Sequence, residues 1–509
     1  MTESSRFTFW NFPLRRFFQL FLFILIFIPF FYFYRENNIN IRFVDEEENI
    51  VVGNFLNKGF VLYKDLFVQH QPSAYLLSGF LQKMFRSHTI YEVVSLHRDF
   101  IVFWSFIWGI LCFLYFGWSF FLAFLFIETT KIFIFGNLFI AESLVVYPIL
   151  FFCGVVFYKK SLNNYLSFFL GLVFSFVLLT LLPVWPFLLV FLFLLFKGKE
   201  ERKFVRPFLL GLSLLSVVLF YRIPFDYYFY NVFYINYSLY IPQTGQINVL
   251  KSFFPFFDIF FKPADHTHFL LILRLASLFF MSMILLLLYK KRLRLIFLSF
   301  FILGLVNLRY IRPGLDFYRG FHSLPWFSSL VFVSLIFLFY NYHTFSSKLK
   351  YLFFGSFFFV YFLSFFQSKE ILFKNRDKDR DYYVNYSMPF DIGSAVSIMK
   401  KSDSTMFIAP DQFLIYWQAD INPFSIFVFY YPWMDKLDFF RTRFNEYFSF
   451  KKPDFFFCSD PFLGVCGEVK DYIRLRKDNR YTDLYIAQDL VFSLSEKQKA
   501  DLRFYNFEF

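Results

Sequence analysis

The chain has 509 residues, 58% of them hydrophobic and 17% charged, with a mean hydropathy of +0.50, which excludes a soluble globular protein of this size and points to a polytopic helical membrane protein. Its formal charge of +13 is scattered in short clusters at the ends of apolar runs instead of forming one stripe, so membrane lipids are the expected contact and nucleic acid is not. The 93 Phe carry no separate function, because Phe and Leu are nearly equivalent in lipid.

Arg6, Arg15 and Arg16 precede an apolar run at 17–34 that is too long for a signal-peptide core, so it is expected to be a retained first span with a cytoplasmic N-terminus. Further apolar runs follow at 100–117, 119–134, 141–158, 162–180, 183–197, 205–222, 267–289, 294–311, 322–340 and 350–367, making about eleven predicted transmembrane helices. Lys159 and Lys160, the run from Lys197 to Arg206, the run from Lys290 to Arg294, and Lys348 with Lys350 all fall in alternate loops, on the side assigned to the N-terminus. The loop 35–99, the region 223–266, the turn 309–321 and the tail are thereby expected on the opposite, non-cytoplasmic face.

Within the loop 35–99, Ile50, Val51, Phe55 and Leu56 recur at helical spacing, and Pro72 opens a second segment carrying Tyr75, Leu76, Gly79, Phe80 and Met84 on one side. Both read as helices lying in the membrane interface, with Gly59 to His70 as a surface loop between them. The six tyrosines between Tyr227 and Tyr240 read as an interfacial aromatic belt. Beyond residue 367 the apolar runs shorten to strand length, so 368–509 is expected to be a small soluble α/β domain after a transmembrane domain spanning 1–367. Strands are predicted at Thr405 to Ala409 and Phe455 to Cys458, a terminal hairpin at Thr482 to Ala487 and Leu490 to Leu494, and helices at 392–401, 411–419 and 435–448. Cys112 and Cys153 lie in apolar runs as packing residues; Cys458 and Cys466 in the tail form either a disulfide or two free thiols.

The densest chemistry lies between Val44 and Leu77. Asp45 leaves the apolar segment at the start of the first loop helix and is placed to point into a cleft, Glu46 faces nearby, and Glu47 and Glu48 read as solvated charges favoured by the helix dipole. The order D-E, then G, then Y-x-D, then H-x-P and Y, between the first two spans, resembles the first outer loop of the GT-C superfamily of membrane glycosyltransferases. The likeness is to the protein O-mannosyltransferase and aminoarabinose transferase branch, which uses polyprenyl-phosphate-linked sugars. It covers the whole chain in layout and residues 44–77 in motif.

The resemblance implies an inverting glycosyltransferase at the inner or plasma membrane, with its C-terminal domain periplasmic or extracellular. It would move a sugar from a polyprenyl-phosphate donor to a lipid, glycan or protein acceptor. Asp45 matches the catalytic base, and Glu142, opening the fourth run, matches a second acidic position; the alternative for Glu142 is a plain helix-start carboxylate. Arg309, Arg312, Arg319 and His322 in the outer turn are candidate phosphate ligands, since three Arg there run against the positive-inside rule. Arg274, about 9 Å inside its run, is an intramembrane candidate that Asp265 or a head group would also satisfy. Lys64, His70 and Tyr75 complete the substrate contacts, with Lys64 alternatively pairing with Asp65 and His70 alternatively capping the next helix. No metal site is assigned; Asp265, His266 and His268 form only a weak divalent-metal pattern. The competing functions are a lipid-linked glycan polymerase or ligase, a transporter or flippase, and a scaffold whose tail binds a partner.

Overall fold

The computed structural model describes residues 14–37, 42–243, 268–306, 321–341, 346–372 and 378–509, together with 39, 259–260 and 308. Every one of the eleven apolar runs contains a helix that covers most of its described part. Among the described residues, four helices, Ile90–Phe116, Glu201–Phe220, Leu270–Tyr289 and Phe321–Asn341, are long and apolar enough to cross a membrane. Six shorter apolar helices accompany them, among them Leu20–Arg35, Ala141–Phe157 and Asn164–Leu178.

We label the helices of the first half α1 (Leu14–Asn37), α2 (Val44–Asn57), α3 (Pro72–Met84), α4 (Ile90–Phe116), α5 (Trp118–Thr130), α6 (Ala141–Phe157), α7 (Asn164–Leu178), α8 (Trp185–Phe196) and α9 (Val205–Phe220). One apolar cluster joins α1, α4, α5, α6, α7 and α8 to the later apolar helices, with Phe23, Phe113, Phe124, Phe152 and Trp326 buried inside it. The phenylalanines thus act as packing bulk. α7 and α9 approach at backbone contact: a Cβ at Gly171 would lie 2.0 Å from the Phe208 carbonyl oxygen, and one at Gly211 would lie 2.1 Å from that of Phe168. Small residues at such crossings let apolar helices gain dispersion contacts that lipid alone does not drive.

A second core joins the loop helices to the C-terminal region. Ile50, Val51 and Phe55 of α2 and Tyr75 of α3 are buried together with Met406, Phe407, Phe427, Phe440 and Phe456. The C-terminal strands are β1 (Thr405–Ala409), β2 (Asn422–Pro423), β3 (Phe455–Cys458), β4 (Tyr472–Lys477), β5 (Arg480–Ala487) and β6 (Phe507–Glu508), in the order β2-β1-β3-β5-β4-β6. β1 runs parallel to β2 and β3, while β3, β5, β4 and β6 pair antiparallel. The two predicted strands β1 and β3 run parallel to each other, and all their residues except Thr405 are buried, which their apolar sequences reflect.

The terminal hairpin differs from expectation. It pairs β4 with β5 through Asp478 and Asn479, both at positive φ as a tight two-residue hairpin turn requires, while Gln488–Phe492 is helical. The predicted second strand at Leu490 to Leu494 is apolar on one helical face only, so Leu490 and Val491 are buried and Phe492 is exposed. The three tail helices form as Lys378–Met399, Leu414–Ala419 and Asp438–Phe450. Cys458 and Cys466 are disulfide-bonded, with Cα atoms 6.1 Å apart.

Candidate functional site

The helices α2 and α3 form where expected, and Pro72 occupies the first turn of α3, where its missing N–H has no intrahelical acceptor to lose. They cross in contact. A Cβ at Gly53 would lie 2.5 Å from Ser78 Oγ and 2.7 Å from the Gly79 backbone nitrogen, so only glycine permits this approach. The close crossing brings the side chains of the first turns of α2 and α3 together.

Four carboxylates occupy successive positions at the start of α2, and only Asp45 is part-exposed; Glu46, Glu47 and Glu48 are each at most 2% accessible. Glu47 and Glu48 are therefore not solvated bystanders, because each has a dedicated partner that replaces water. Arg42 forms a two-pronged pair with Glu47, Nη2 to Oε2 at 2.9 Å, and its Nη2 also donates to Gln412 Oε1 at 2.6 Å. Burial nevertheless pushes the Glu47 carboxyl up to about 7, with Arg42 opposing.

Glu46 faces the other way. Arg98, itself wholly buried, reaches it from α4 through Nε, at 3.1 and 3.0 Å from the two carboxylate oxygens, and through Nη2. The Phe139 N–H donates to Glu46 Oε1 at 2.8 Å, and the Phe139 carbonyl accepts from Asn49 Nδ2 at 3.0 Å. Glu46 and Asn49, one turn apart, thus grip both polar groups of the residue that leads into α6. Glu46 is occupied as a strut, in the position next to the proposed base.

Glu48 accepts a hydrogen bond from the Tyr75 hydroxyl, and His70 Nδ1 lies 3.5 Å from Glu48 Oε1. Burial, reinforced by the Glu48 charge, raises the Tyr75 hydroxyl well above its ordinary range, so it stays a donor. His70 does not cap α3: Gln71 occupies the cap position without a side-chain hydrogen bond. The loop bearing His70 is clamped from the tyrosine-rich region, where Tyr228 donates to Gln71 Oε1 at 2.9 Å, Asn231 Nδ2 to the Tyr63 carbonyl at 3.1 Å, and Asn236 Nδ2 to the Gln69 carbonyl at 2.9 Å. That region does more than anchor: Tyr228 is buried, while Tyr227, Tyr230, Tyr234 and Tyr237 are exposed. The Phe67 N–H bonds the Ile426 carbonyl at 2.6 Å, tying the same loop to the tail. Tyr431 of the tail is raised well above the usual phenol range by burial, with Glu48 and Asp45 adding to the effect. Asp45 and Glu48, a turn apart, therefore share one neighbourhood with Tyr431 and Tyr75.

Glu142, in the first turn of α6, is buried and its Oε1 lies 3.0 Å from His322 Nδ1. Phe43, two residues before Asp45, packs on Phe135 at 5.0–5.4 Å ring separation together with Phe321, the neighbour of His322. The start of α2, the segment before α6 and the His322 turn are thus gathered in one place. Lys64 is exposed, and Asp65 accepts from the Val61 N–H at 2.7 Å in place of an ion pair with it. Arg274 Nε donates to the Ile259 carbonyl at 3.2 Å. Arg309, Arg312 and Arg319 lie outside the described residues, as do Asp265 and His266. Among the described residues no three His, Cys, Asp or Glu side chains cluster as metal ligands.

A further polar group sits within the apolar helices. Glu128 accepts from Lys131 Nζ at 2.8 Å and from the Tyr147 hydroxyl, and Lys131 also donates to Ser105 Oγ at 3.0 Å, all buried. Comparison of the chain with protein-family models, with curated proteins and with solved structures gives no match.

Proposed function

We propose that the protein is an integral-membrane, inverting glycosyltransferase that moves a sugar from a polyprenyl-phosphate carrier to an acceptor on the non-cytoplasmic face, with Asp45 as the base. The observation that carries this reading is the accessibility of the four carboxylates: Glu46, Glu47 and Glu48 are buried, and Asp45 is part-exposed in the neighbourhood of Tyr75 and Tyr431.

In this reading Asp45 takes the proton of the acceptor hydroxyl or amine as that group bonds to the anomeric carbon. The carbon–oxygen bond to the lipid phosphate breaks with its electron pair leaving on the phosphate. A positioned base of this kind contributes about 10²–10⁴ in rate. The developing phosphate charge needs cations in a poorly hydrated site, and His70, His322 and the arginines 309, 312 and 319 are assigned that task. Glu142 holds His322. Eleven spans with a cytoplasmic N-terminus would place the loop helices and tail on the donor's side, and a Cys458–Cys466 disulfide suits a tail in an oxidising compartment.

The test is transfer by the purified protein from a panel of polyprenyl-phosphate sugars, measured as labelled sugar released from the lipid. Wild type turns over at least one donor, and Asp45→Asn loses turnover by at least about a hundredfold while its thermal unfolding is unchanged. Near-normal turnover by Asp45→Asn would sink the assignment. Labelled sugar that crosses a proteoliposome without leaving its carrier would favour a flippase.

A further inference from the structure

A cleft of about 780 Å³ opens at the far end of α2, between the ends of α2 and α3, the residues that follow α9, and the tail helix Leu414–Ala419. It is not the Asp45 site. Asn54 and Asn57 on its wall lie nine and twelve residues along α2 from Asp45, about 14–18 Å at helical rise.

Its charge is one-sided. Lys83, in the last turn of α3, and Arg86 and Arg222, each two residues beyond a helix, line the cleft and are exposed. None of the three makes an ion pair with a described residue. The acid on the wall is Asp420, which is committed to Lys58 at 2.6 Å and Lys400 at 3.6 Å. Three free cations around a concave surface, with the one carboxylate among its described lining residues already neutralised, favour an anion.

The remaining lining suits a sugar. Asn54 and the Oδ1 of Asn57 are the amide groups on the lining that can meet ring hydroxyls, since Asn57 Nδ2 donates to the Gly79 carbonyl at 2.9 Å and Gln418 Nε2 to Ser394 Oγ at 3.4 Å. The Trp417 ring is part-exposed on the wall and held in place by its Nε1–H, which donates to Gln82 Oε1 at 3.1 Å. A fixed indole presents an apolar π face against which the C–H face of a sugar packs. Gln82 is in turn anchored by its Nε2, which donates to the Ile50 carbonyl at 2.7 Å and to Ser78 Oγ at 3.0 Å, so this wall is preorganised.

We propose that the cleft binds an acidic saccharide, one bearing carboxylate or phosphate groups, separately from the Asp45 site. The exposed apolar side chains of Phe80, Met84 and Phe85 flank Lys83 and Arg86 at the level where α9 ends, so the saccharide is met close to the lipid surface. The inference goes beyond the transfer reading and stands on the cleft alone, because it is read as binding without turnover.

The test uses full-length protein in nanodiscs of uncharged lipid, titrated calorimetrically with hexagalacturonate. Maltohexaose serves as the uncharged saccharide of equal length, inorganic phosphate as the bare anion, and phosphatidylglycerol in the disc as an anionic head group. Hexagalacturonate binds, maltohexaose binds at least about tenfold more weakly, and the triple variant Lys83→Gln, Arg86→Gln, Arg222→Gln loses at least about tenfold. Raising salt weakens the wild-type binding, since the cations are exposed. Asp45→Asn leaves the binding unchanged, so failure of the transfer reading and failure of this one are separable. The proposal is overturned if maltohexaose or phosphate binds as tightly as hexagalacturonate, if hexagalacturonate binds only when phosphatidylglycerol is present, or if the triple variant binds as wild type does.

Discussion

Replacing Arg98 with methionine removes the guanidinium that the structure pairs with the buried Glu46 carboxylate. Both side chains are essentially inaccessible, 0% for Arg98 and 1% for Glu46, so water cannot enter to compensate without the helices parting. Breaking a buried pair from one side costs about 3–5 kcal/mol, because the remaining charge keeps its desolvation penalty and loses its partner. The same carboxylate holds the Phe139 N–H, so its displacement also loosens the entry to α6 and Glu142. Thermal unfolding of detergent-solubilised protein, followed by tryptophan fluorescence, is predicted to show Arg98→Met as strongly destabilised. Adding Glu46→Gln should restore most of the loss, since glutamine keeps an oxygen for Phe139 N–H and carries no charge. A single variant within about 1 kcal/mol of wild type, or a double variant no better than the single, would refute the strut role of Glu46.

Two other outcomes follow from the loop helices. Gly53→Ala should destabilise by about 1–3 kcal/mol, because its Cβ meets the Gly79 backbone as well as the Ser78 side chain. Ser78→Gly should rescue it only in part, and full rescue would show the backbone contact to be unimportant. Glu47 gives a pH signature. Its folded value of about 7 lies above the 4.5 of a free glutamate, so its stabilising contribution is whole below about 4.5 and is lost as pH rises through about 7. That gap corresponds to a term of order 3 kcal/mol. Unfolding temperature should therefore fall between pH 5 and 7.5 by less in Glu47→Gln than in wild type, and an identical fall in both would contradict the assignment.

The helical runs were legible because apolar stretches of membrane length leave little else for the backbone to do, and β1 and β3 because short apolar runs mark buried parallel strands. The start of α2 and the Pro72 turn were legible from local signals. The fates of Glu46, Glu47 and Glu48 were not, because their partners Arg98, Arg42 and Tyr75 are 52, 5 and 27 residues away and only the fold selects them. Arg98 did carry a signal, as an ionisable residue entering an apolar helix, the same feature that singled out Arg274. Glu128 and Lys131 leave little signal for a related reason: charges three residues apart neutralise each other inside an otherwise apolar run. The Asp478–Asn479 turn was readable as a hairpin, and Leu490 to Leu494 drew the strand assignment away from it because a short apolar run suits a strand and a helix equally. The Glu142–His322 contact, 180 residues apart, leaves no local trace.

The central claim is that this chain transfers a sugar from a lipid carrier and that Asp45 performs the step. The most direct measurement is mass spectrometry of lipids, glycans and surface proteins from cells lacking the protein, cells carrying wild type, and cells carrying Asp45→Asn at equal abundance in the membrane. The account predicts that one sugar-mass increment present with wild type is missing both without the protein and with Asp45→Asn. An unchanged profile on removal of the protein, or an increment restored by Asp45→Asn, would contradict it.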